Sequence, residues 1–254
     1  MPESIRRPAD FESTLRDVAG VEGWLTDDQA WLLWRSAASL APGARIVEIG
    51  SFQGRSTIVL ARAAPAGTEI VAIDPHAGND RGPQEIAGYE REAEADHEAF
   101  LANLARAGVG DRVRHVRAFS GAAHTDVDGD IDLLYVDGAH RYGPARADIR
   151  DWGRRVRPGG TLLIHDSFSS VGVTLAIARE LFASRRFRYV GRAQSMTEYR
   201  ADPPVGAGAR LANGARQAAQ LGWFARNLAV KALIVARLGR LTRLLGHPSP
   251  DWPY

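Results

Sequence analysis

The chain has 254 residues, of which 45% are hydrophobic, and a formal net charge of +2. That length and apolar content allow one large domain with a full core. The absence of cysteine excludes disulfides, thiolate metal sites and cysteine nucleophiles, and it favours a reducing compartment. The first residues do not resemble a signal peptide, and no apolar run approaches bilayer length. We therefore expect a cytoplasmic protein.

The basic residues are arginines, with the single exception of Lys231. A phosphate loop of the GKT or GKS type needs a lysine directly after a glycine, and a pyridoxal Schiff base needs a lysine in a pocket. Lys231 lies between Val230 and Ala232 in a late basic segment and fits neither role. We attribute the arginine preference to coding bias, and we expect no nucleic-acid binding.

The chain begins with a polar stretch followed by a helix signal. Thr26 is a suitable N-cap, and Gln29 stands three residues further on, as in a capping box. The apolar and tryptophan-rich residues up to Trp34 continue this helix. We interpret residues 1–42 as an N-terminal helical lid on a catalytic core.

From Arg45 the sequence alternates between short apolar strands and helices. Runs such as residues 133–136 suit strands that are buried on both faces, and the strand–helix alternation predicts a parallel sheet. Residues 43–200 are therefore expected to form an α/β domain: a doubly wound, mostly parallel seven-stranded sheet with helices on both faces. The predicted strands are 45–50, 69–74, 112–117, 131–137, 161–165 and two within 187–200, and the predicted helices are 54–64, 90–107, 143–156 and 171–184.

The last fifth of the chain differs in composition. Residues 201–220 are rich in Pro, Gly and Ala and are interpreted as a linker, and residues 221–254 as a basic amphipathic helical tail. Residues 221–245 carry no acid. This helix either docks on the domain or a partner subunit, or it lies on a membrane surface, so we expect a homo-oligomer or a peripheral membrane contact. Its basic residues are Arg226, Lys231, Arg237, Arg240 and Arg243.

A glycine turn follows the first predicted strand, over residues 48–54. A dinucleotide fingerprint needs G-x-G-x-x-G, but Phe52 occupies the second glycine position. The turn instead resembles motif I of class I S-adenosylmethionine-dependent methyltransferases. That resemblance implies that S-adenosyl-L-methionine binds here, with Glu48 facing its ammonium group. The implied contacts to the methionine part of the cofactor come from Glu48, Gly50, Ser51, Gly54 and Ser56.

Two later strand ends complete the expected cofactor site. Asp74 ends the second strand, where an acid can accept hydrogen bonds from both ribose hydroxyls. Ser120 follows the third strand, where the superfamily contacts adenine. Asp137 ends the fourth strand beside the first and is also expected near the cofactor.

The fourth and fifth strands each end in an acid. In this fold the two strands are neighbours, so Asp137 and Asp166 are expected roughly 4.8 Å apart. Two carboxylates at that separation repel unless a cation or proton lies between them, and a hard divalent ion is the simplest answer. His165 offers a nitrogen ligand beside them. We expect Mg²⁺, or Mn²⁺ because imidazole suits it better.

A narrower resemblance covers residues 43–200. Residues 137–142, 157–160 and 165–168 are similar to motifs of the metal-dependent sugar and natural-product O-methyltransferases grouped with macrocin O-methyltransferase and the cephalosporin hydroxylases. The resemblance implies that Asp137 binds Mg²⁺ and that His140 is the catalytic base. The later pair is commonly Asp-Asp in that group, whereas this chain has His165 before Asp166.

These patterns predict an O-methyltransferase that acts on a hydroxyl with the help of a metal. The base must come from His140 if no lysine is near, and the histidines at 76, 97, 115, 124 and 247 are expected on the surface. Tyr89 is the only aromatic in the polar loop 76–96, which favours a sugar, a polysaccharide precursor or a glycosylated natural product as acceptor. Alternatives are an iron oxygenase with two histidines and one carboxylate, or a non-enzymatic cofactor-binding or scaffold protein.

Overall fold

The structure is a computed structural model that describes residues 7–77 and 90–247. The polar loop predicted to cover an acceptor lies largely at 78–89, and Tyr89 therefore falls outside the described residues.

A seven-stranded sheet in the order β3-β2-β1-β4-β5-β7-β6 forms the centre of the molecule. All neighbours pair in parallel except β7, which runs antiparallel between β5 and β6. The predicted doubly wound, mostly parallel seven-stranded sheet is confirmed. The strands are β1 Arg45–Ile49, β2 Glu69–Ile73, β3 Val113–Val116, β4 Ile131–Val136, β5 Val156–Ile164, β6 Arg188–Ala193 and β7 Met196–Arg200.

Helices cover both faces of this sheet and enclose two apolar clusters. One face packs against α5 and α6, and the other against α2, α3 and α4. β1, β2 and β4 are buried along nearly their whole length, which explains their continuous apolar runs. The helices are α1 Ala9–Val18, α2 Asp27–Ala38, α3 Arg55–Ala63, α4 Glu90–Arg106, α5 Tyr142–Asp151, α6 Val171–Glu180, α7 Ala207–Ala218 and α8 Leu221–Val235.

The predicted N-terminal helix is α2, and its start has the predicted chemistry. Thr26 and Gln29 form a capping box, and the Gln29 side chain also donates to Ser195 Oγ at 3.0 Å in the buried interior. α1 and α2 pack against α3. The N-terminal segment is therefore an integral part of one face, and its role as a lid stays a prediction.

The prediction of a linker over 201–220 is wrong for most of its length. Residues 207–218 form α7, because the alanines and arginines favour a helix and two buried amides fix it to the sheet. Asn213 Oδ1 accepts from the Tyr189 N–H at 2.8 Å, and Gln217 Oε1 accepts from the Tyr199 hydroxyl at 3.2 Å. The segment is an ordered element of the domain.

The predicted C-terminal helix is present but stops earlier than expected. α8 ends at Val235, Arg237 adopts a left-handed backbone with φ +59°, and a 3₁₀ segment follows over Gly239–Leu245. Trp223 and Phe224 pack on the apolar core, which supports the docked-helix interpretation. Across 7–77 and 90–247, no helix combines the length and apolar character needed to cross a membrane.

Candidate functional site

A cavity of about 850 Å³ opens at the carboxyl ends of the central strands. It lies where the strand order reverses between β1 and β4, the usual ligand position in a doubly wound sheet. Its wall combines the strand tips with the segment before α2 and with α8. Among the wall residues are Trp24, Gly50, Ser51, Phe52, Ser56, Asp74, Phe119, Ser120, Tyr135, Asp137, His140, Arg141, Asp148, His165, Asp166, Leu228 and Lys231.

The predicted glycine turn brings the tips of β1 and β4 together. Gly50 has φ +86°, and a Cβ on it would lie 2.3 Å from the Asp137 carbonyl oxygen, so only glycine fits. Gly54, with φ +89°, is the N-cap of α3. The Ser51 hydroxyl is buried on the cavity wall and has no hydrogen-bond partner among the described residues. A ligand donor or acceptor is expected to pair with such a group.

Asp74 holds this turn through its carboxylate. One oxygen accepts from the backbone N–H groups of Ser51 and Phe52, both at 2.9 Å, and the other accepts from the His76 N–H at 2.7 Å. The carboxylate also lines the cavity. Asp74 therefore shapes the turn, and its predicted contact with a ribose would use the remaining acceptor capacity of the same oxygens.

Glu48 is placed behind the cavity wall rather than on it. Its carboxyl group is fully buried and accepts from Ser56 Oγ and Thr57 Oγ1, both at 2.5 Å. Burial raises its pKa to about 8 against the effect of these two hydrogen bonds. A group that is neutral at pH 7 and ties β1 to α3 gives no support to the predicted ionic contact with an ammonium group.

Asp148 is a site residue that the sequence analysis missed. Ser120 Oγ donates to Asp148 Oδ1 at 2.5 Å, and both residues line the cavity. Asp148 is 4% exposed, and burial raises its pKa to about 6 although Ser120 opposes the shift. The signal was present in the buried positions of α5, where an acid stands between Ala145 and Ile149 on the apolar face.

A cluster of side chains with the donor atoms that a metal site needs occupies the tips of β4 and β5. Asp137, His140 and Asp166 each offer one donor atom, and these atoms all lie within 4.8 Å of one another. His140 Nε2 is 2.5 Å from Asp166 Oδ2, and the Tyr135 hydroxyl donates to Asp137 Oδ2 at 2.8 Å. Two carboxylates and one imidazole suit Mg²⁺ or Mn²⁺, so the donor set fits the predicted metal.

His165 lies beside this cluster but is not part of it. Its Nδ1 is 3.2 Å from Asp137 Oδ1 and 3.6 Å from Asp166 Oδ2. Burial opposes protonation of the ring, but the two carboxylates outweigh it and raise the pKa of His165 to about 10. The three donor atoms that lie within 4.8 Å of one another come from Asp137, His140 and Asp166, so the geometry favours His140 over the predicted His165 as the third donor.

Two further sequence interpretations are wrong. The sequence was taken to offer no lysine at the catalytic site, yet Lys231 lines this cavity and donates to the Ser169 carbonyl at 2.9 Å. Three of the histidines predicted on the surface form a cluster with ring centroids 5.0–5.2 Å apart, and burial lowers the pKa of His76 to about 4. The clustered residues are His76, His97 and His115. Sequence position alone could not show where α8 and the segments that carry these histidines pack.

Comparison with known proteins finds a family match for part of this chain. Residues 47–167 match a family described as a methyltransferase domain. Over 126 residues, 48% of this chain, the protein is 32% identical to the uncharacterized protein y4gI of Sinorhizobium fredii; the match spans 13% of that relative's length.

Three solved structures share the fold. They are the SAH-bound methyltransferase PaMTH1 of Podospora anserina (18% identity, 77% of this chain and 89% of that chain, TM-score 0.56), the O-methyltransferase TomG of Streptomyces achromogenes in complex with SAM (20%, 78% and 91%, 0.51), and an O-methyltransferase of Bacillus cereus in complex with SAH (18%, 77% and 90%, 0.50). The family match and the strand order agree. Residues 47–167, just under half of the chain, therefore match a methyltransferase domain, and the chain shares its fold with these solved methyltransferase structures.

Proposed function

We propose that the chain is an S-adenosylmethionine-dependent O-methyltransferase that methylates a hydroxyl group with the help of a divalent metal. The observation that carries this proposal is the position of Asp137, His140 and Asp166 within one cavity that also contains the glycine turn. Support comes from the similar folds of TomG and the Bacillus cereus enzyme, which are O-methyltransferases bound to SAM and SAH.

The cofactor half of the cavity has the groups that an adenosyl sulfonium needs. S-adenosylmethionine supplies an electrophilic methyl group when bound. Gly50 allows the turn to pack against the Asp137 backbone, the unpaired Ser51 hydroxyl offers the ligand a hydrogen bond, and Asp74 receives the ribose. Ser120 and Asp148 border the space left for the base, beside the exposed ring of Phe119.

The metal half of the cavity acts on the acceptor. Asp137 and Asp166 would hold a divalent ion, which would supply Lewis acidity toward an acceptor hydroxyl. The Tyr135 hydroxyl orients Asp137 by donating to it, and His165 balances the charge of the two carboxylates. His140 accepts the hydroxyl proton as proposed from the sequence, or it completes the metal site. The two roles exclude each other at one nitrogen.

The acceptor is proposed to be a hydroxyl of a sugar, a polysaccharide precursor or a glycosylated natural product, which rests on the family resemblance and on the polar composition of the covering loop. The described residues oppose the iron oxygenase alternative. Their metal-ligating group contains two carboxylates and a single histidine, whereas that chemistry uses two histidines and one carboxylate.

The proposal is tested first by calorimetry with S-adenosylhomocysteine and then by transfer of labelled methyl groups to a panel of saccharides and glycosylated natural products. We expect cofactor binding, loss of transfer in EDTA and recovery with Mg²⁺ or Mn²⁺. Failure to bind S-adenosylhomocysteine would refute the cofactor assignment. Full transfer by thoroughly stripped protein would instead refute only the metal assignment.

A further inference from the structure

One wall of the cavity comes from a short segment outside the methyltransferase match. Residues 22–25, between α1 and α2, line the cavity. The segment is anchored at both ends, because Val21 and Leu25 are buried in the apolar cluster that contains residues of α2 and α3. Its middle carries Trp24, whose ring centroid lies 5.6 Å from that of Phe52 in the glycine turn. An aromatic pair therefore forms the wall at this place.

The side chain of Arg55, the first residue of α3, holds this segment. Its Nη1 donates to the carbonyl oxygens of Val21 at 3.2 Å and Gly23 at 3.3 Å. Gly23 adopts φ +148°, and a Cβ on it would lie 3.4 Å from the Arg55 Cβ, so the segment packs directly on the arginine stem. Asp27, the first residue of α2, also attracts the guanidinium group. Arg55 therefore connects α3 with the segment between α1 and α2.

The segment contacts the glycine turn, which indicates the part of the cofactor that it covers. Trp24 packs against Phe52, and Gln53 Nε2 donates to Glu22 Oε2 at 3.4 Å. The family resemblance places the methionine part of S-adenosylmethionine at this turn. A wall over that part excludes water from its charged groups and so strengthens their electrostatic interactions with the protein. The affinity for the cofactor should therefore depend on how the segment is held.

We propose that Arg55 is a positioning residue that holds residues 22–25, and with them the Trp24 ring, over the methionine part of the cofactor; this inference rests on the proposed function. The two hydrogen bonds have a charged donor, and such bonds are stronger than those between neutral groups. Without them, Val21 and Leu25 still anchor the ends of the segment, so its middle would detach while the domain stays folded. The groups proposed to bind the adenosine part would keep their places.

The experiment compares two ligands on the full chain. S-adenosylhomocysteine carries the amino-acid part of the cofactor, whereas 5′-methylthioadenosine has a methyl group in its place. Calorimetry measures the affinity for each. We expect Arg55→Met to weaken the binding of S-adenosylhomocysteine about tenfold or more and to leave the binding of 5′-methylthioadenosine nearly unchanged. Arg55→Lys keeps a charged donor and should restore part of the lost affinity.

Arg62→Met is the matched control. Arg62 lies on the same helix and also joins it to the N-terminal region, because its Nη2 is 2.8 Å from Asp17 Oδ2 on α1, but it lies away from the cavity wall. This variant should leave the affinity for both ligands unchanged. Urea unfolding of every variant shows whether the domain remains folded.

A double-mutant cycle tests whether Arg55 acts through Trp24. Trp24→Ala alone should weaken S-adenosylhomocysteine more than 5′-methylthioadenosine. If Arg55 acts by placing this ring, the combined Arg55→Met and Trp24→Ala variant should bind S-adenosylhomocysteine no more weakly than the weaker of the two single variants. The cycle uses S-adenosylhomocysteine alone, so it decides the question even where 5′-methylthioadenosine binds too weakly to measure.

Three outcomes would overturn the inference. These are an unchanged affinity for S-adenosylhomocysteine in Arg55→Met, an equal weakening of both ligands, or losses that add in the double variant. Additive losses would assign Arg55 a direct contact with the cofactor instead. Binding of S-adenosylhomocysteine to the unmodified protein is measured first, so failure of the methyltransferase proposal itself is recognised separately.

Discussion

His140 and His165 both lie next to Asp166, but they differ in exposure and in their distances from the two carboxylates. His165 is enclosed between two carboxylates and has a pKa of about 10, so it remains a cation. His140 is more exposed, and its Nε2 faces Asp166 Oδ2 at 2.5 Å. Burial opposes protonation of His140 as well, but Asp166 and Asp137 outweigh it and raise the pKa. A metal between the carboxylates would oppose this effect on both rings and favour their neutral forms.

Replacing His140 tests which role it has. We expect His140→Ala to lower kcat by about 10²–10⁴-fold, the usual contribution of a general base, while the affinity for S-adenosylhomocysteine stays nearly constant. Titration with Mn²⁺ separates the two assignments. If His140 is a base, its loss leaves the Mn²⁺ affinity unchanged, whereas if it is a ligand, its loss lowers that affinity. Methylation at the unmodified rate would remove His140 from the mechanism altogether.

Asp148 offers a second residue-scale test, on cofactor recognition. Its Oδ1 is engaged by Ser120, while its Oδ2 lies 3.6 Å from the position of a Cβ on Gly138, a residue of the cavity wall. If Asp148 accepts from the adenine amino group, Asp148→Asn should weaken binding of S-adenosylhomocysteine about tenfold or more and improve binding of S-inosylhomocysteine. Calorimetry with both ligands measures this ratio. An unchanged ratio would restrict Asp148 to holding the Ser120 loop.

Glu48 links stability to pH. Its pKa is about 8 in the folded chain against an ordinary value of 4.5, so between these values the unfolded chain loses a proton that the folded chain keeps. Stability should therefore fall as pH rises from 4.5 to 8. Glu48→Gln keeps hydrogen-bonding capacity toward Ser56 and Thr57 and should flatten this slope. Urea unfolding at pH 5 and pH 8 compares the two proteins, and parallel pH dependences would contradict the assigned shift.

At the scale of elements, the glycine turn between β1 and α3 sets the distance between neighbouring strand tips. The Gly50 N–H donates to the Ile73 carbonyl at 2.9 Å, and the Asp137 N–H donates to the Ile49 carbonyl at 2.8 Å. No side chain fits at Gly50 because its Cβ would meet the Asp137 backbone. This turn therefore joins β2, β1 and β4 where the cofactor and metal halves of the cavity meet. The backbone geometry of this turn therefore contributes more to the positions of the strand tips than its polar side chains do.

Gly50→Ala should separate those tips. The alanine Cβ would lie 2.3 Å from the Asp137 carbonyl oxygen, and the residue would have to adopt φ +86°. We therefore expect a loss of stability well above the approximately 1–2 kcal/mol of the backbone strain alone, together with loss of cofactor binding. Gly43→Ala is the matched control, because Gly43 has φ +80° but open space around its Cβ. Urea unfolding and calorimetry measure both effects. Equal losses in the two variants would show that packing against Asp137 is unimportant.

The elements also show how far sequence reasoning reaches. Buried parallel strands have continuous apolar runs, and the polar residues that end them meet at one sheet edge, so Asp74, Asp137 and Asp166 could be predicted. Docking of helices on the sheet has no such local signal. Asp148 and Lys231 reach the cavity only through the packing of α5 and α8. Packing on the sheet likewise explains why residues 207–218, predicted to be a linker, form α7. The direction in which a side chain at a strand end points also depends on residues distant in the sequence, as His165 and His140 show.

At the scale of the whole molecule, the C-terminal region has two faces. One packs on the domain through Trp223, Asn227 and Lys231, and the other is exposed. Residues 203–247 carry seven basic residues and no acid, which gives this side of the molecule a positive charge despite the small net charge of the chain. Large apolar side chains lie exposed within it, at Val235, Leu238, Leu241 and Leu244.

This exposed face is proposed to contact an anionic membrane surface. Leu244 is 83% exposed, and Arg237, Arg240 and Arg243 alternate with the exposed leucines, a combination that favours acidic headgroups over water. Each basic residue near such a surface contributes about 1 kcal/mol, so three should raise vesicle binding by roughly two orders of magnitude at low salt.

Co-sedimentation with vesicles tests this contact, because the attraction requires lipid charge and is screened by salt. We expect binding to vesicles containing phosphatidylglycerol, little binding to phosphatidylcholine alone, and release by 0.5 M salt, which shortens the Debye length to roughly 4 Å. Leu244→Glu should abolish binding, whereas Leu211→Glu, on equally exposed α7, should reduce it less because fewer cations surround it. Equal binding to neutral and acidic vesicles would contradict the electrostatic attraction. Absence of binding to either would leave the exposed leucines without a membrane role and direct attention to a second copy of the chain.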